Sequence, residues 1–188
     1  SDTCWFDHGF RAPQQSKDLT QEAVNLLKFE RNVRRYLRKN RYPLDMQIAL
    51  RRYGQALDEY DWHRSFLSLW SVLEFLTGTT DKESRVTIRR AASLFFDGAY
   101  AALCLKTLRD FRNRNVHAAY ETQEIESYLY LLKRHVERLI EFHLASEMRF
   151  GSIGEACEFL DLPGDKNLLE RRLRHLNHMM RILSRNDQ

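Results

Sequence analysis

The sequence has little of the two residues that interrupt helices, with only 3 prolines and 7 glycines in 188 residues. Proteins built from many short strands need turns rich in proline and glycine, so this scarcity disfavours a sheet-based fold. Leucine, arginine, glutamate and alanine are abundant instead, and hydrophobic residues make up 43% of the chain, enough to bury a core. We therefore predict an all-α protein.

Cysteine is scarce too. Cys4, Cys104 and Cys157 are scattered and odd in number, which indicates a reduced cytosolic environment rather than a disulfide framework. No Cys-x-x-Cys or Cys/His ligand spacing occurs, and of the seven histidines only His175 and His178 lie close together, without a carboxylate cluster. No glycine-rich loop ends in Lys-Ser/Thr. We expect no metal site, no P-loop and no cofactor.

Long apolar runs are missing as well, since none approaches the roughly 20 residues that a membrane-spanning helix needs. No secretory signal is visible. We expect a cytoplasmic protein without a membrane partner. The chain does not begin with methionine, which favours a processed chain or the C-terminal piece of a longer protein. Its net charge of +4 is modest, but the basic residues are unevenly placed, which allows an anionic partner.

Apolar residues recur at helical spacing along most of the chain, and we divide it into three parts. Residues 1–41 comprise an irregular arm and a basic helix, residues 42–150 a helical domain, and residues 151–188 a helical extension. Within the central part an apolar pattern continues from residue 46 to residue 76. Whether one helix or two lies there is open, because Gly54 and Asp61 allow a break.

The first helix carries six basic residues in eleven positions: Arg31, Arg34, Arg35, Arg38, Lys39 and Arg41. Such a run can follow the phosphate backbone of a nucleic acid, so Arg34, Arg35 and Arg38 are candidate RNA-binding residues. The alternative is a solvated helix face whose arginines pair with Glu22 and Glu30.

The stretch 111–117 concentrates two arginines, two asparagines and a histidine between two amphipathic helices. A guanidinium forks onto phosphate oxygens, and an imidazole transfers protons near neutral pH. RNA supplies its own nucleophile, the 2′-hydroxyl, so cleavage needs only a base, an acid and positive charge at the transition state. In this interpretation His117 is the acid or base, Arg112 holds the phosphate, and Asn113 hydrogen-bonds His117 or a phosphate oxygen.

Helix geometry constrains this motif. Positions five apart lie about 140° apart around an ideal helix, so Arg112 and His117 do not share a face within one. We therefore predict that the motif straddles a helix end or bend, after a helix from about residue 99 to Phe111. Arg109 and Arg114 are candidate RNA contacts beside it. The structural alternative is that Arg112 and His117 only fix a helix junction.

Glu74 lies upstream of the motif in a segment of apolar residues. Glu74 follows Trp70 and Leu73 and precedes Phe75, and a buried unpaired charge is very costly. Glu74 therefore either supports the site by orienting Arg112 or His117, or it is a structural residue that pairs with another arginine or faces water.

The Arg-Asn-x-x-x-His motif at residues 112–117 resembles the signature of the HEPN superfamily of small all-helical domains, many of which are RNases. The preceding segment, residues 64–76 with Leu-Glu-Phe-Leu at its end, looks like the ApeA-like branch, in which a glutamate recurs at the place of Glu74. The resemblance covers roughly residues 45–145.

This resemblance implies a HEPN-type up-and-down helical bundle, here with additional N- and C-terminal helices. It also implies a homodimer whose paired motifs line a groove and cut RNA without a metal ion. The products would carry 2′,3′-cyclic phosphate or 3′-phosphate and 5′-hydroxyl ends. The resemblance to ApeA-like domains further implies that the chain is a bacterial anti-phage defence or toxin effector. Its further partner would be an antitoxin, or a sensor domain or protein.

Two other functions remain open. The chain can be a catalytically silent HEPN module that binds RNA, a nucleotide or a partner protein. It can also be a helical oligomerisation domain, because the extension carries an apolar stripe with the 4-3-4-3 spacing of a helix–helix seam. That stripe comprises Leu169, Leu173, Leu176, Met180 and Leu183.

Overall fold

The computed structural model describes residues 22–115 and 124–186, with the backbone alone described at Asp81, Asn115, Arg185 and Asn186. These residues form eight α-helices and one turn of 3-10 helix (Asp81–Glu83), and they contain no strand, which confirms the all-α prediction. The helices are α1 (Ala23–Lys39), α2 (Pro43–Leu57), α3 (Trp62–Leu76), α4 (Ser84–Ala92), α5 (Gly98–Asn115), α6 (Ile125–Ala145), α7 (Ile153–Leu160) and α8 (Lys166–Asn186).

Two helices, α2 and α3, account for the long apolar pattern of the central region. α2 begins at Pro43, whose missing N–H costs nothing at a helix start, and it passes through Gly54 without a break. The interruption comes at residues 58–61, where the Asp61 carboxylate accepts hydrogen bonds from the backbone N–H groups of His63 and Arg64. This N-cap starts α3 and turns the chain back along α2.

The core is built around α3, which packs against α2 on one side and α6 on another. Because it has helical neighbours on several sides, α3 is buried on most of its surface: Phe66, Leu69, Trp70, Val72, Leu73 and Leu76 are at most 1% exposed. Full burial of each such side chain contributes about 1.5–3 kcal/mol. α3 is therefore the fixed frame against which the other helices place their side chains.

A buried histidine ties the C-terminal ends of α3 and α6 to the start of α2. Nε2 of His143 donates to the Leu76 carbonyl at 2.8 Å, and its Nδ1 accepts from the Tyr42 hydroxyl at 2.8 Å. Burial lowers the pKa of His143 to about 4, so the imidazole is neutral at pH 7. Asn40 donates to the His143 carbonyl at 2.8 Å and connects the end of α1 to the same point.

The chain after α6 divides into a packed helix and an exposed one. α7 contributes Ala156 and Leu160 to the core, and its C-cap Asp161 forms a bidentate ion pair with Arg90 of α4. By contrast, every described side chain of α8 is exposed. No helix in the described ranges is both long and apolar enough to cross a bilayer.

Candidate functional site

The motif begins inside α5. This helix extends through Asn115, so Arg112, Asn113 and Arg114 lie in the last described turn, and the predicted end at Phe111 is four residues too early. Arginine is a good helix former, and Asn113 and Arg114 face solvent without disturbing the helix. His117 lies outside the described residues, so its relation to Arg112 stays a prediction.

Phe111 anchors this end of α5. It is 2% exposed, and its ring lies 4.9 Å from the Phe66 ring and 4.8 Å from the Tyr128 ring, with the His63 ring stacked at 6.2 Å. Aromatic pairs in these edge-on and tilted arrangements contribute about 0.5–1.5 kcal/mol beyond their buried area. The cluster fixes the end of α5 between α3 and the start of α6, and therefore sets the position of the residue that follows, Arg112.

The Arg112 side chain lies against α3. Its guanidinium carbon is 5.6 Å from the centre of the Trp70 ring, a cation–π distance, and its Nη1 is 3.6 Å from Oε1 of Glu74. The two charged side chains are only 15% and 11% exposed. At 3.6 Å the contact is an ion pair rather than a hydrogen bond.

Glu74 is held from its own helix as well. Oε1 of Glu74 accepts a hydrogen bond of 2.8 Å from the indole N–H of Trp70, one turn earlier on α3. Trp70 thus contacts the carboxylate with its edge and the Arg112 guanidinium with its face. The motif arginine is therefore among the partners of Glu74. This contact fits both a residue that orients Arg112 and a structural glutamate that pairs with an arginine, so the supporting role of Glu74 stays a prediction.

The remaining motif residues on α5 are more exposed. Asn113 and Arg114 face solvent, and Nε of Arg114 lies 3.4 Å from the Asp110 carbonyl. Arg109 is half-buried and pairs with Asp110, Nη2 to Oδ1 at 2.8 Å. Asn113, Arg114 and Arg109 therefore lie on the turns of α5 that border Arg112.

The basic stripe of α1 is carried by a helix with different neighbours. α1 packs mainly on α2 and α6, whereas α5 packs mainly on α4. Arg34, Arg35 and Arg38 are exposed; Arg34 pairs with Glu30 at 2.6 Å, and Arg35 lies over the Tyr36 ring. The pair of Arg34 with Glu30 is one that the solvated-face alternative predicts. Arg34, Arg35 and Arg38 stay candidate RNA contacts.

Sequence reasoning missed Trp70 and the aromatic cluster around Phe111 as parts of this site. The signal for Trp70 was present in its spacing: Trp70 and Glu74 are four apart and share a helix face. Nothing local marks His63, which reaches Phe111 only because α3 and α5 pack side by side.

No known protein family, no curated protein and no solved structure matches this chain. The HEPN resemblance therefore rests on the residues of the sequence motif alone. Within residues 22–115 and 124–186, no group of three or more His, Cys, Asp or Glu side chains is placed to hold a metal ion.

The arrangement suits the chemistry of anions. A guanidinium that is permanently charged lies in a low-dielectric wall made by Trp70, and a carboxylate fixes its orientation. In such surroundings its attraction for a developing negative charge is stronger than in water, and little reorganisation is needed when the charge appears. The arrangement can stabilise a phosphate or another oxyanion at the end of α5.

Proposed function

We propose that this chain is a metal-independent endoribonuclease of the HEPN type. The observation that carries the proposal is the contact between Arg112 and Glu74. These residues come from different helices, and the resemblance singles out both, one as the motif arginine and the other as the glutamate of the ApeA-like branch. Because the two residues were chosen from the sequence alone, their contact supports the proposal that they belong to the same functional site.

In the proposed reaction the 2′-oxygen of a ribose attacks the adjacent phosphorus, and the bond from phosphorus to the 5′-oxygen breaks. A proton leaves the 2′-hydroxyl and another joins the departing 5′-oxygen, and His117 carries out one of these transfers. Arg112 stabilises the extra negative charge on the non-bridging oxygens, and Asn113 hydrogen-bonds His117 or the phosphate. The products are a 2′,3′-cyclic phosphate, which water can open to a 3′-phosphate, and a 5′-hydroxyl.

One motif supplies one histidine, while the reaction uses two proton transfers. A two-fold homodimer that apposes the same patch from each chain brings two copies of His117 and of Arg112 to one cleft. Arg109 and Arg114 border this cleft and are proposed to contact the RNA on either side of the cut, with Arg34, Arg35 and Arg38 as more distant phosphate contacts.

The biological role that the resemblance suggests is a bacterial anti-phage defence or toxin effector. RNA cleavage would then arrest growth, under the control of an antitoxin or a sensor protein. Expression of the wild-type chain should slow bacterial growth, and expression of a His117→Ala variant should not.

The second candidate function is a silent HEPN module that binds RNA, a nucleotide or a partner protein. A specific observation favours it: the Arg112 side chain is only 15% exposed and is already engaged by Glu74 and Trp70. An arginine in this position also serves to pin α5 to α3, because a buried carboxylate needs a counter-charge whether or not RNA binds.

Cleavage of tRNA, rRNA and single-stranded RNA in the presence of EDTA separates the two functions. The wild type should cut and leave 5′-hydroxyl ends, and both His117→Ala and Arg112→Ala should lose at least about 100-fold in rate. His178→Ala, at an exposed histidine of α8, and Arg64→Ala, at an exposed arginine of α3, are the matched controls and should cut normally.

Two results would contradict the nuclease. One is cutting by His117→Ala at the wild-type rate, which would place the activity elsewhere or in a contaminant. The other is a wild type that binds RNA but cuts none of the three substrates, with His117→Ala binding equally well. That outcome selects the silent module.

A further inference from the structure

α8 carries an apolar stripe that is largely exposed in the described part of the chain; only at its start does Leu169 border a cavity, which Leu160 and Leu162 also line. Its described side chains, residues 166–184, are all exposed. Eight large apolar side chains are between 37% and 68% exposed: Leu168, Leu169, Leu173, Leu176, Met179, Met180, Ile182 and Leu183. Together they present roughly 700 Å² of surface, which is more than the few hundred Å² that a monomer usually leaves in one apolar patch.

The stripe has the pattern of a helix–helix seam. Leu169, Leu173, Leu176, Met180 and Leu183 follow one another at spacings of four, three, four and three, which are five of the six a and d positions of three heptads; the sixth is Lys166. Over its 21 residues α8 is about 31 Å long, so the seam runs along nearly the whole helix.

Most charges of α8 lie away from the a and d positions of the seam. Arg171, Arg174 and Arg181 occupy outward b and f positions when Leu173 and Met180 are placed at a. Two copies of α8 can therefore approach along the seam without bringing these arginines together. Three charged residues lie on or beside the seam: Lys166 at a, Glu170 at e and Arg172 at g. Lys166 pairs with Glu170 of the same helix at 3.9 Å, and the other described a and d positions are apolar.

We propose that α8 is a dimerisation element whose apolar stripe packs against the α8 of a second copy of this chain. The exposed apolar area is close to the ~800 Å² that each partner contributes to an interface of standard size. A nucleic acid would be attracted to the outward arginines and would leave the stripe in water. A bilayer surface would bury the stripe, but it would also draw in Arg172, which lies on the apolar arc between Leu168 and Leu176. At the rim of a helix pair Arg172 stays in water.

This interface uses no motif residue, so it is a separate contact from the motif cleft through which the proposed nuclease dimerises. The seam is short, with four leucines and one methionine, so the dimer should form and dissociate with protein concentration. The contact is made by α8, the last described helix in chain order, whereas the basic helix α1 is the first.

The test is sedimentation equilibrium of the whole chain over a range of micromolar concentrations. The wild type should dimerise, and a seam variant, Leu173→Glu with Met180→Glu, should raise the dissociation constant at least about 100-fold. The matched control is Arg174→Glu with Arg181→Glu, which makes two substitutions in the same helix next to the seam positions and should leave the dimer intact. Circular dichroism of each variant should show that the helices are kept.

Two results would overturn the proposal: a wild type that is monomeric at every concentration, or a seam variant that dimerises as well as the wild type. If the monomeric wild type also sediments with phosphatidylserine vesicles, the stripe binds a lipid surface instead. A dimer that survives the seam substitutions but dissociates in Arg112→Ala would assign dimerisation to the motif groove instead. RNA cleavage, measured in parallel, distinguishes failure of this interface from failure of the proposed nuclease.

Discussion

Glu74 of α3 and Arg112 of α5 form an ion pair at 3.6 Å while both side chains are largely buried. Trp70 contacts both partners, donating a 2.8 Å hydrogen bond to the carboxylate and facing the guanidinium with its ring. A substitution of Glu74 should therefore affect both stability and the proposed catalysis, because Glu74 contacts Arg112 and also links α3 to α5. Experiments on the site must therefore measure folding and activity separately.

Glu74→Gln should destabilise the fold by about 3 kcal/mol, because it removes one charge of a largely buried ion pair while the other partner stays desolvated. The variant amide still accepts the Trp70 N–H, so the change isolates the charge. Urea denaturation followed by circular dichroism measures the loss. Glu141→Gln is the control: it breaks the exposed pair of Glu141 with Arg138 and should cost less than about 1 kcal/mol.

Equal costs for Glu74→Gln and Glu141→Gln would contradict this account of the pair. If the proposed nuclease is correct, Glu74→Gln should also lower the cleavage rate of the protein that remains folded, since Arg112 would no longer be held against Trp70.

The basic stripe of α1 leads to a second prediction. Replacing Arg34, Arg35 and Arg38 with glutamine should weaken binding of single-stranded RNA, because three phosphate contacts disappear. The slope of log affinity against log salt concentration should fall by about 2. Fluorescence anisotropy at several salt concentrations, in a His117→Ala background to prevent cutting, provides the measurement.

The control for the stripe is the triple replacement of Arg171, Arg174 and Arg181 by glutamine, which removes the same charge from an exposed face of α8. If both triple variants lose affinity equally, net charge alone explains the effect. An unchanged salt slope in the α1 variant would favour the solvated face, in which Arg34 pairs with Glu30.

Much of the helical pattern could be predicted from sequence, because α3, α4 and α6 bury continuous apolar stripes at helical spacing. The end of α5 could not, since residues 112–115 are all polar and carry no period, and the packing of Phe111 beneath them is a tertiary contact. The partner of Glu74 could be predicted only through the resemblance, because the sequence alone does not single out one of the many arginines. The packing of α7 against the core could not be predicted from the sequence. A helix of eight residues has only two or three buried positions, here including Ala156 and Leu160, which is too few to show a periodic apolar pattern.

His143 should make the fold sensitive to mild acid. Burial lowers the pKa of its imidazole to about 4, below the ordinary value of about 6.5 in the unfolded chain. The unfolded state therefore binds the proton more tightly, so the contribution of this group to stability is complete above pH 6.5 and is lost as the pH falls toward 4. The loss is on the order of 3 kcal/mol. Burial also lowers the pKa of His135, which adds to the slope.

Denaturant titrations between pH 7.5 and pH 4 measure this slope. A His143→Gln variant should be less stable at neutral pH, because its bonds to Leu76 and Tyr42 are disturbed, but its stability should fall less steeply with acid. A variant slope as steep as that of the wild type would show that other groups cause the acid sensitivity.

Asp161 should be responsible for holding α7 in place. Arg90 binds its carboxylate through Nε at 2.9 Å and Nη2 at 2.6 Å, while Nη1 of the same arginine donates to the Thr77 carbonyl at the end of α3. Asp161→Asn should cost about 1–3 kcal/mol at pH 7, because a charge-assisted bidentate pair is lost. Hydrogen exchange of the amides in α7 should accelerate more than that in α3, since α7 is short and has few other contacts.

The pH dependence of the Asp161 effect has a definite sign. Hydrogen bonding from Arg90, with a further bond from Arg89, lowers the pKa of the Asp161 carboxyl to about 2. Its contribution is therefore present above about pH 4 and is lost as the pH falls toward 2, so the wild type and Asp161→Asn should converge in that range. Arg89→Ala is the control, because Arg89 is the more exposed of the two arginines and should cost less than Arg90→Ala. Equal costs for the two arginine variants would mean that Arg90 does not clamp α7 through its buried fork, and that the ion pair acts only at the surface.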